Sequence, residues 1–277
     1  MNQYSILVNT CDKFEDCWDP FFKLFSIYWP DYKGKIYLNT EYKNYTYGEL
    51  NIIPLKVAEE KQDGHLITWS ECLIRALNKI DTDFVLYMQE DYFLKDNVKN
   101  DIVNEYAQLM SKHEDIACIH LTDQGLISKE SEQKYKGLNP VKLNQRYRVS
   151  CQAALWKKEI LFKHLRSYEN AWEFEEFGSQ RSAIYNDDFY SVDKNWIKLN
   201  HFEIIPYVFT GIIQGRWFEE IIPLFKKHNI DMDYSIRGFV NDRQSKPFKN
   251  RVEYRLKKIP KILKNQIELL KLKSSNK

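Results

Sequence analysis

Short apolar runs that end in polar residues alternate with stretches of helical spacing through the first half of the chain. That alternation constrains the fold more than any other feature of the sequence. Tyr4–Asn9 is an apolar run that leads into Asn9, Thr10 and Asp12. Residues 16–28 carry Phe21, Phe22, Leu24, Phe25 and Tyr28 as the apolar side of a helix. Trp29-Pro30 stops that helix, because a residue before proline avoids the helical region. Residues 35–39 and 50–57 read as a second and a third strand. Residues 66–80 place Leu73, Ile74, Leu77 and Ile80 on one helical face. A further run, 84–88, ends in Gln89, Glu90 and Asp91. Strands separated by helices of this length need crossover connections. The pattern therefore predicts an α/β fold with a mainly parallel central sheet flanked by helices.

The second half is more mixed. Residues 98–113 read as a helix, 116–121 as a strand and 122–144 as a polar, loop-rich stretch. A strand at 149–156 leads into a helix at 157–165. Residues 202–208 and 211–213 are strand-like, and 218–228 read as a helix.

Charge divides the chain in two. Residues 246–277 hold eleven Lys/Arg against two Glu, a local balance of +9, in a chain whose net charge is +2. Residues 1–245 therefore carry −7, and we expect a globular domain over 1–245 with a basic tail over 246–277. In the tail, Ile259, Ile262, Leu263, Ile267, Leu269 and Leu270 recur at helical spacing among Lys257, Lys258, Lys261, Lys264 and Lys271. Such a basic amphipathic helix can lie on an anionic membrane surface, or pack on the acidic globule or on a second subunit. Pro260 suits a first turn, so the helix is expected to start there. An acidic globule argues against nucleic acid as a partner.

Several chemistries lack their sequence signatures. With nine glycines there is no Gly-x-x-x-x-Gly-Lys loop and no Gly-x-Gly-x-x-Gly turn to wrap phosphate in backbone amides. There is no Gly-x-Ser-x-Gly elbow and no His-Glu-x-x-His zinc helix. Five dispersed cysteines without a Cys-x-x-Cys pair predict neither a disulfide framework nor a zinc site, and fit a reducing compartment. Residues 1–10 show no signal-peptide pattern, and no run is long and apolar enough to span a bilayer.

Three centres carry possible chemistry. Glu90 and Asp91 follow a buried run, at the strand edge where open α/β sheets bind ligands. Carboxylates there can hold a divalent metal and an attached diphosphate. Glu173, Glu175 and Glu176 are threaded between Trp172 and Phe174, where partial burial would raise a carboxyl pKa toward a general base's range. Gln214, Gly215 and Arg216 precede Trp217, with Gly215 permitting a tight backbone and Arg216 able to neutralise phosphate. Arg237 is a second, weaker candidate for that positive charge.

In order, these pieces resemble the GT-A-fold glycosyltransferases, particularly bacterial enzymes that build surface polysaccharides such as O-antigen and capsule. The resemblance rests on Asn9-Thr10-Cys11-Asp12, Gln89-Glu90-Asp91 and Trp172-Glu173-Phe174-Glu175-Glu176, and spans residues 4–240. It implies a GT-A-like (Rossmann-like) fold, with Asn9, Thr10 and Asp12 beside the nucleotide of a UDP-sugar. It also implies that Gln89, Glu90 and Asp91 sit at the donor diphosphate, with Glu90 and Asp91 holding Mn2+ or Mg2+. Gln89 departs from the family's Asp-x-Asp. The offset from Trp172 resembles the Trp-Gly-x-Glu-Asp of inverting members, which implies Glu175 as catalytic base, with Glu176 and Glu173 behind it. Gln214, Gly215 and Arg216 are then assigned to the donor, and Trp172 and Trp217 to a saccharide or lipid-linked saccharide acceptor. The implied setting is cytoplasmic, peripheral at the inner face of the membrane. A sugar nucleotidyltransferase and a non-enzymatic carbohydrate-binding module are the rival readings.

Overall fold

The computed structural model describes residues 4–59, 67–122, 134–193, 203–242 and 248–275. Ten strands are described: β1 (Tyr4–Asn9), β2 (Ile36–Leu38), β3 (Ile52–Pro54), β4 (Phe84–Gln89), β5 (Ile116–His120), β6 (Leu138–Pro140), β7 (Ala154–Lys157), β8 (Asp188–Val192), β9 (Ile212–Ile213) and β10 (Arg216–Trp217). The α-helices are α1 (Trp18–Tyr28), α2 (Trp69–Lys79), α3 (Asn100–Lys112), α4 (Lys158–His164), α5 (Ala171–Tyr185), α6 (Ile221–Lys227) and α7 (Phe248–Ser275).

Eight strands form one sheet in the order β3-β2-β1-β4-β7-β5-β8-β6. β1, β2, β3 and β4 run parallel, β7 runs antiparallel to both β4 and β5, and β6 antiparallel to β8. The sheet is thus mostly parallel, as the strand–helix alternation predicts. β1 and β4 are covered on both faces, which is why they read as near-continuous apolar runs. Ile6, Val8, Leu86 and Met88 pack under α1 (Phe21, Phe22, Phe25) and α3 (Val103, Tyr106). Leu7, Val85 and Tyr87 pack on the opposite face, against α2 (Leu73, Ala76, Leu77) and Phe174 of α5. The two sets alternate along each strand because successive side chains point to opposite faces.

Local signals set several helix ends. Thr68 caps α2 by accepting from the Glu71 main-chain N–H at 3.1 Å. Asn170 and Glu173 form a reciprocal capping box at the start of α5. Elsewhere the elements differ from the sequence expectation. The helix expected from residue 16 begins at Trp18, preceded by a 3-10 turn over Asp12–Cys17. The strand expected at 149–156 pairs only as Ala154–Lys157. Of the run at 202–208, residue 202 lies outside the described residues, and the rest forms no strand; it has a bridge from Tyr207 to Leu94, and its Ile204 carbonyl accepts from the Lys99 N–H at 2.9 Å. β6 and β8 are strands that the sequence reading did not assign. β9 and β10 form a two-stranded hairpin whose turn residues, Gln214 and Gly215, both have positive φ (53° and 81°). Paired positive φ values make this the turn type that suits the twist of a two-residue hairpin.

The basic helix α7 starts well before Pro260, which lies inside it rather than in its first turn. Proline removes one backbone donor from a helix interior. Side-chain bonds to α5 and its flanks secure the helix on both sides of that proline. Lys258 pairs with Glu176 at 2.6 Å, Lys261 with Glu173 at 2.7 Å, and Asn265 donates to Gln180 at 2.8 Å. Arg166 pairs with Glu268, and the Lys264 ammonium lies 3.6 Å from the centroid of the Tyr168 ring. No helix among the described residues is long and apolar enough to cross a membrane.

Candidate active site

β1 and β4 are adjacent and in register, Asn9 opposite Gln89, so the polar ends of both runs meet at the carboxyl edge of the sheet. Asn9, Gln89 and Tyr87 share one face. The Asn9 amide donates to the Tyr87 hydroxyl at 3.1 Å, and the Gln89 amide donates to it at 3.3 Å. Asn39, just past β2, donates to the Asn9 side-chain oxygen at 2.7 Å. This buried amide–phenol chain fixes the orientation of Asn9 and Gln89 without a charge. Asn39 and Tyr87 are partners that the sequence reading did not single out. The polar end of the second predicted strand and the period-two spacing of 87 and 89 are the signals that point to them.

Thr10 accepts from the Trp18 indole N–H at 2.9 Å, which ties the strand end to α1. Asp12 is committed to the main chain. Its carboxylate accepts from the N–H groups of Glu41, Tyr42 and Lys43 at 2.9, 3.0 and 3.2 Å, holding the loop after β2.

Glu90 and Asp91 are both buried, at 9% and 6% exposure. Burial and mutual repulsion push the Glu90 carboxyl well above its usual range, and burial raises Asp91 to about 6. Asp91 Oδ2 accepts from the Thr210 hydroxyl and from the Ile212 N–H at 3.1 Å, while Oδ1 is buried without a partner. The Asp91 carbonyl also accepts from the Gly211 N–H at 2.9 Å. Gly211 has to be a glycine here, since a Cβ would lie 2.2 Å from the Phe93 ring and 2.9 Å from the Asp91 carbonyl oxygen. The positive charge that stabilises both carboxylates is that of Arg237, not Arg216. Arg237 stacks 4.4 Å from the Phe14 ring centroid and is held by Asp16 and the Lys13 carbonyl. Arg216, at the foot of the hairpin turn, donates to the Arg237 carbonyl at 3.4 Å. Trp217 is fully buried against Phe93, Phe225 and Tyr234 and offers no face to a sugar.

Helical periodicity separates the three glutamates of α5. Glu173 serves the capping box and pairs with Lys261, and exposed Glu176 pairs with Lys258, so both face α7. Glu175 falls on the opposite side of the helix, together with Gly178 and Ser179, which pack on residue 149. Its Oε1 accepts from the Cys151 N–H at 2.9 Å, and no described residue bonds Oε2. Burial raises the Glu175 carboxyl above its usual value, partly offset by the Cys151 N–H and by Arg146. The Cys151 carbonyl accepts from the Tyr92 hydroxyl at 2.7 Å, so the segment that anchors Glu175 also contacts the residue after Asp91. β7 runs antiparallel to β4, which brings its leading residues to β4's carboxyl end. Trp172 is 64% exposed, one turn before Glu175.

Chemically, the edge offers a half-buried carboxylate with one oxygen that no described residue bonds, and a separate pair of buried carboxylates with one oxygen unpartnered among the described residues. Among the described residues no third His, Cys, Asp or Glu joins that pair. Such a donor set suits a hard cation that takes its remaining oxygens from phosphate and water, as Mg2+ commonly does.

The buried pair has a measurable consequence. Both carboxyls hold a proton more tightly folded than unfolded, so their stability contribution is present at low pH, and the part owed to Asp91 is lost as pH rises to about 6. In chelator-containing buffer, Asp91→Asn is expected to gain on the wild type between about pH 4 and pH 6, by on the order of 3 kcal/mol. Denaturant unfolding of both proteins across that range checks this, and a constant gap would rule it out.

No known family profile matches the sequence, and no curated protein matches it. Among solved structures, the chain is similar to S. aureus TarS residues 1–349 in complex with UDP-GlcNAc, at 14% identity and a TM-score of 0.42, covering 69% of this chain and 56% of that one. It is similar to a mycobacterial protein at 11% identity and a TM-score of 0.42, covering 69% and 65%. It is similar to the bifunctional IspDF of Campylobacter jejuni at 18% identity and a TM-score of 0.34, covering 73% and 51%. The chain thus spans less than two thirds of the length of each of these structures. With TM-scores below 0.5, these likenesses assign no activity to this chain. What its own fold and site define is an α/β protein with a mostly parallel sheet and a carboxylate-bearing carboxyl edge.

Proposed function

We propose that the chain is a glycosyltransferase that moves a sugar from a UDP-sugar to a saccharide or lipid-linked saccharide, with inversion, in bacterial surface polysaccharide synthesis. The observation that carries this reading is Glu175, pinned through one oxygen at the sheet edge, with the other bonded by no described residue, and raised in pKa by burial. A carboxylate in that state can take the proton of an acceptor hydroxyl. In this reading Asn9 and Gln89 border the nucleotide, and Trp172 offers the acceptor an exposed ring. Glu90, Asp91 and Arg237 border the diphosphate. A divalent cation held by Asp91 Oδ1 and Glu90 would there offset the charge that develops on the leaving diphosphate. The nucleotidyltransferase rival uses a glycine-rich loop after its first strand, whereas β1 here runs into the glycine-free 3-10 turn at Asp12–Cys17.

Titration with UDP, with and without Mn2+, followed by incubation with a panel of nucleotide sugars, tests the proposal. The expected result is UDP binding that tightens with Mn2+, and release of UDP from one donor in the presence of acceptor. Absence of both nucleotide binding and nucleotide release would overturn it.

A further inference from the structure

α7 has the polarity of its two sides reversed for a helix packed on a globule. Its docked side is mostly polar: Lys258, Lys261, Asn265 and Glu268 reach α5 and residues 166–168, with Leu269 buried among them. Its outward side carries Ile259, Leu263, Ile267 and Leu270, which are 47%, 59%, 55% and 68% exposed. Their spacing puts them in one stripe along the helix, with Ile262 at its margin. Lys271 and Lys273 flank the stripe and are exposed. Glu268, the acidic residue of this stretch, is turned inward and held by Arg166 and Tyr168.

We propose that this outward face of α7 is a docking surface for an anionic lipid bilayer. Charge selects this occupant. The tail balance is +9 against −7 for the rest of the chain, and Lys271 and Lys273 beside the stripe form no ion pair among the described residues, whereas Lys258 and Lys261 do. A second copy meeting the first across this stripe would set lysine flank against lysine flank, which disfavours self-association. An anionic bilayer takes up both features, the apolar side chains at the acyl boundary and the lysines at the headgroups. The helix then lies in the interface plane, with the acidic globule kept off the bilayer by the ion pairs to α5.

The test uses the full-length chain and flotation with phosphatidylcholine vesicles, with or without phosphatidylglycerol. It measures no nucleotide, so it stands or falls separately from the proposed activity. We expect flotation with the anionic vesicles only, weakening as salt is raised. Leu263→Gln with Leu270→Gln is expected to lower partitioning about tenfold or more with an unchanged melting temperature, because both side chains are exposed. Lys271→Glu with Lys273→Glu is expected to lower it by at least about fivefold per lysine. Failure of the wild type to float with anionic vesicles would overturn the proposal, as would unchanged flotation of the leucine variant. A wild-type dimer in light scattering that the leucine variant converts to monomer, without vesicle binding, would assign the stripe to a second copy instead.

Discussion

Glu175→Gln is expected to slow sugar transfer by about 10²–10⁴-fold, the range that a general base supplies, while leaving UDP binding within about twofold of wild type. The substitution tests proton abstraction and little else. A Gln oxygen can still accept from the Cys151 N–H at the position Oε1 now occupies, so the packing of α5 on residues 149–151 should hold. What is lost is the basicity of the free oxygen. The loss should therefore fall on kcat, since the proposed reading puts the donor at the β1 and β4 ends and not at α5. The pH profile gives a second readout. A base must be ionised, so wild-type activity should fall as pH drops through the raised Glu175 pKa. The residual activity of the Gln variant should lack that limb. Near-normal transfer by a folded Glu175→Gln protein would remove Glu175 as the base. Glu173→Gln and Glu176→Gln are the controls, because both side chains pair with α7 and neither reaches the sheet edge.

The contrast among these glutamates shows what the sequence could reveal. Strand and helix alternation was legible because β1 and β4 are covered on both faces and α2 is amphipathic, so burial writes a period into the chain. β6 was hidden: Leu138-Asn139-Pro140 sits at the end of the sheet, where a proline is tolerated and no apolar run is required. The strand expected at 149–156 was shortened because residues 149–151 bond to Ser179, Glu175 and Tyr92 instead of to a neighbouring strand. The carboxylates of the site were visible as residues, and the offset from Trp172 ranked Glu175 first by resemblance alone. The different surroundings of Glu173, Glu175 and Glu176 follow from a 100° turn per residue, once a helix is known to run through all three. Trp217 was misleading for a related reason. In a hairpin, neighbouring side chains point to opposite faces, so Arg216, half-buried on the outer face, leaves Trp217 facing the core. Arg237 owes its place beside Glu90 to Asp16 and Phe14, more than 200 residues earlier, a partnership that local pattern cannot reveal.

Arg181→Met is expected to destabilise the fold by about 3–5 kcal/mol, because it leaves Glu169 as an unpaired buried charge. Both side chains are fully buried, and the guanidinium meets the carboxylate through two bonds of 2.6 and 2.7 Å. The same guanidinium donates to the His164 carbonyl at 2.6 Å and reaches Asn265 at 3.5 Å, while the Glu169 carbonyl accepts from Ser70 at 3.3 Å. One ion pair thereby joins α2, α4, α5 and α7 behind the helix that carries Glu175. Burial already raises the Glu169 carboxyl even with its partner present, so without Arg181 it must either take up a proton or disrupt its surroundings. Replacing both residues, Arg181→Met with Glu169→Leu, should recover most of the loss, since a buried pair exchanged for apolar groups is often neutral. A double-mutant cycle by denaturant unfolding therefore predicts a strongly non-additive result, with the double variant more stable than the Arg181 single. Arg181→Met should also be less stable at high pH than at low pH, relative to the double variant, because protonating Glu169 relieves the unpaired charge. A cost below about 1 kcal/mol for Arg181→Met, or additive losses in the cycle, would mean that Glu169 is reached by water and that the pair does not hold these four helices together.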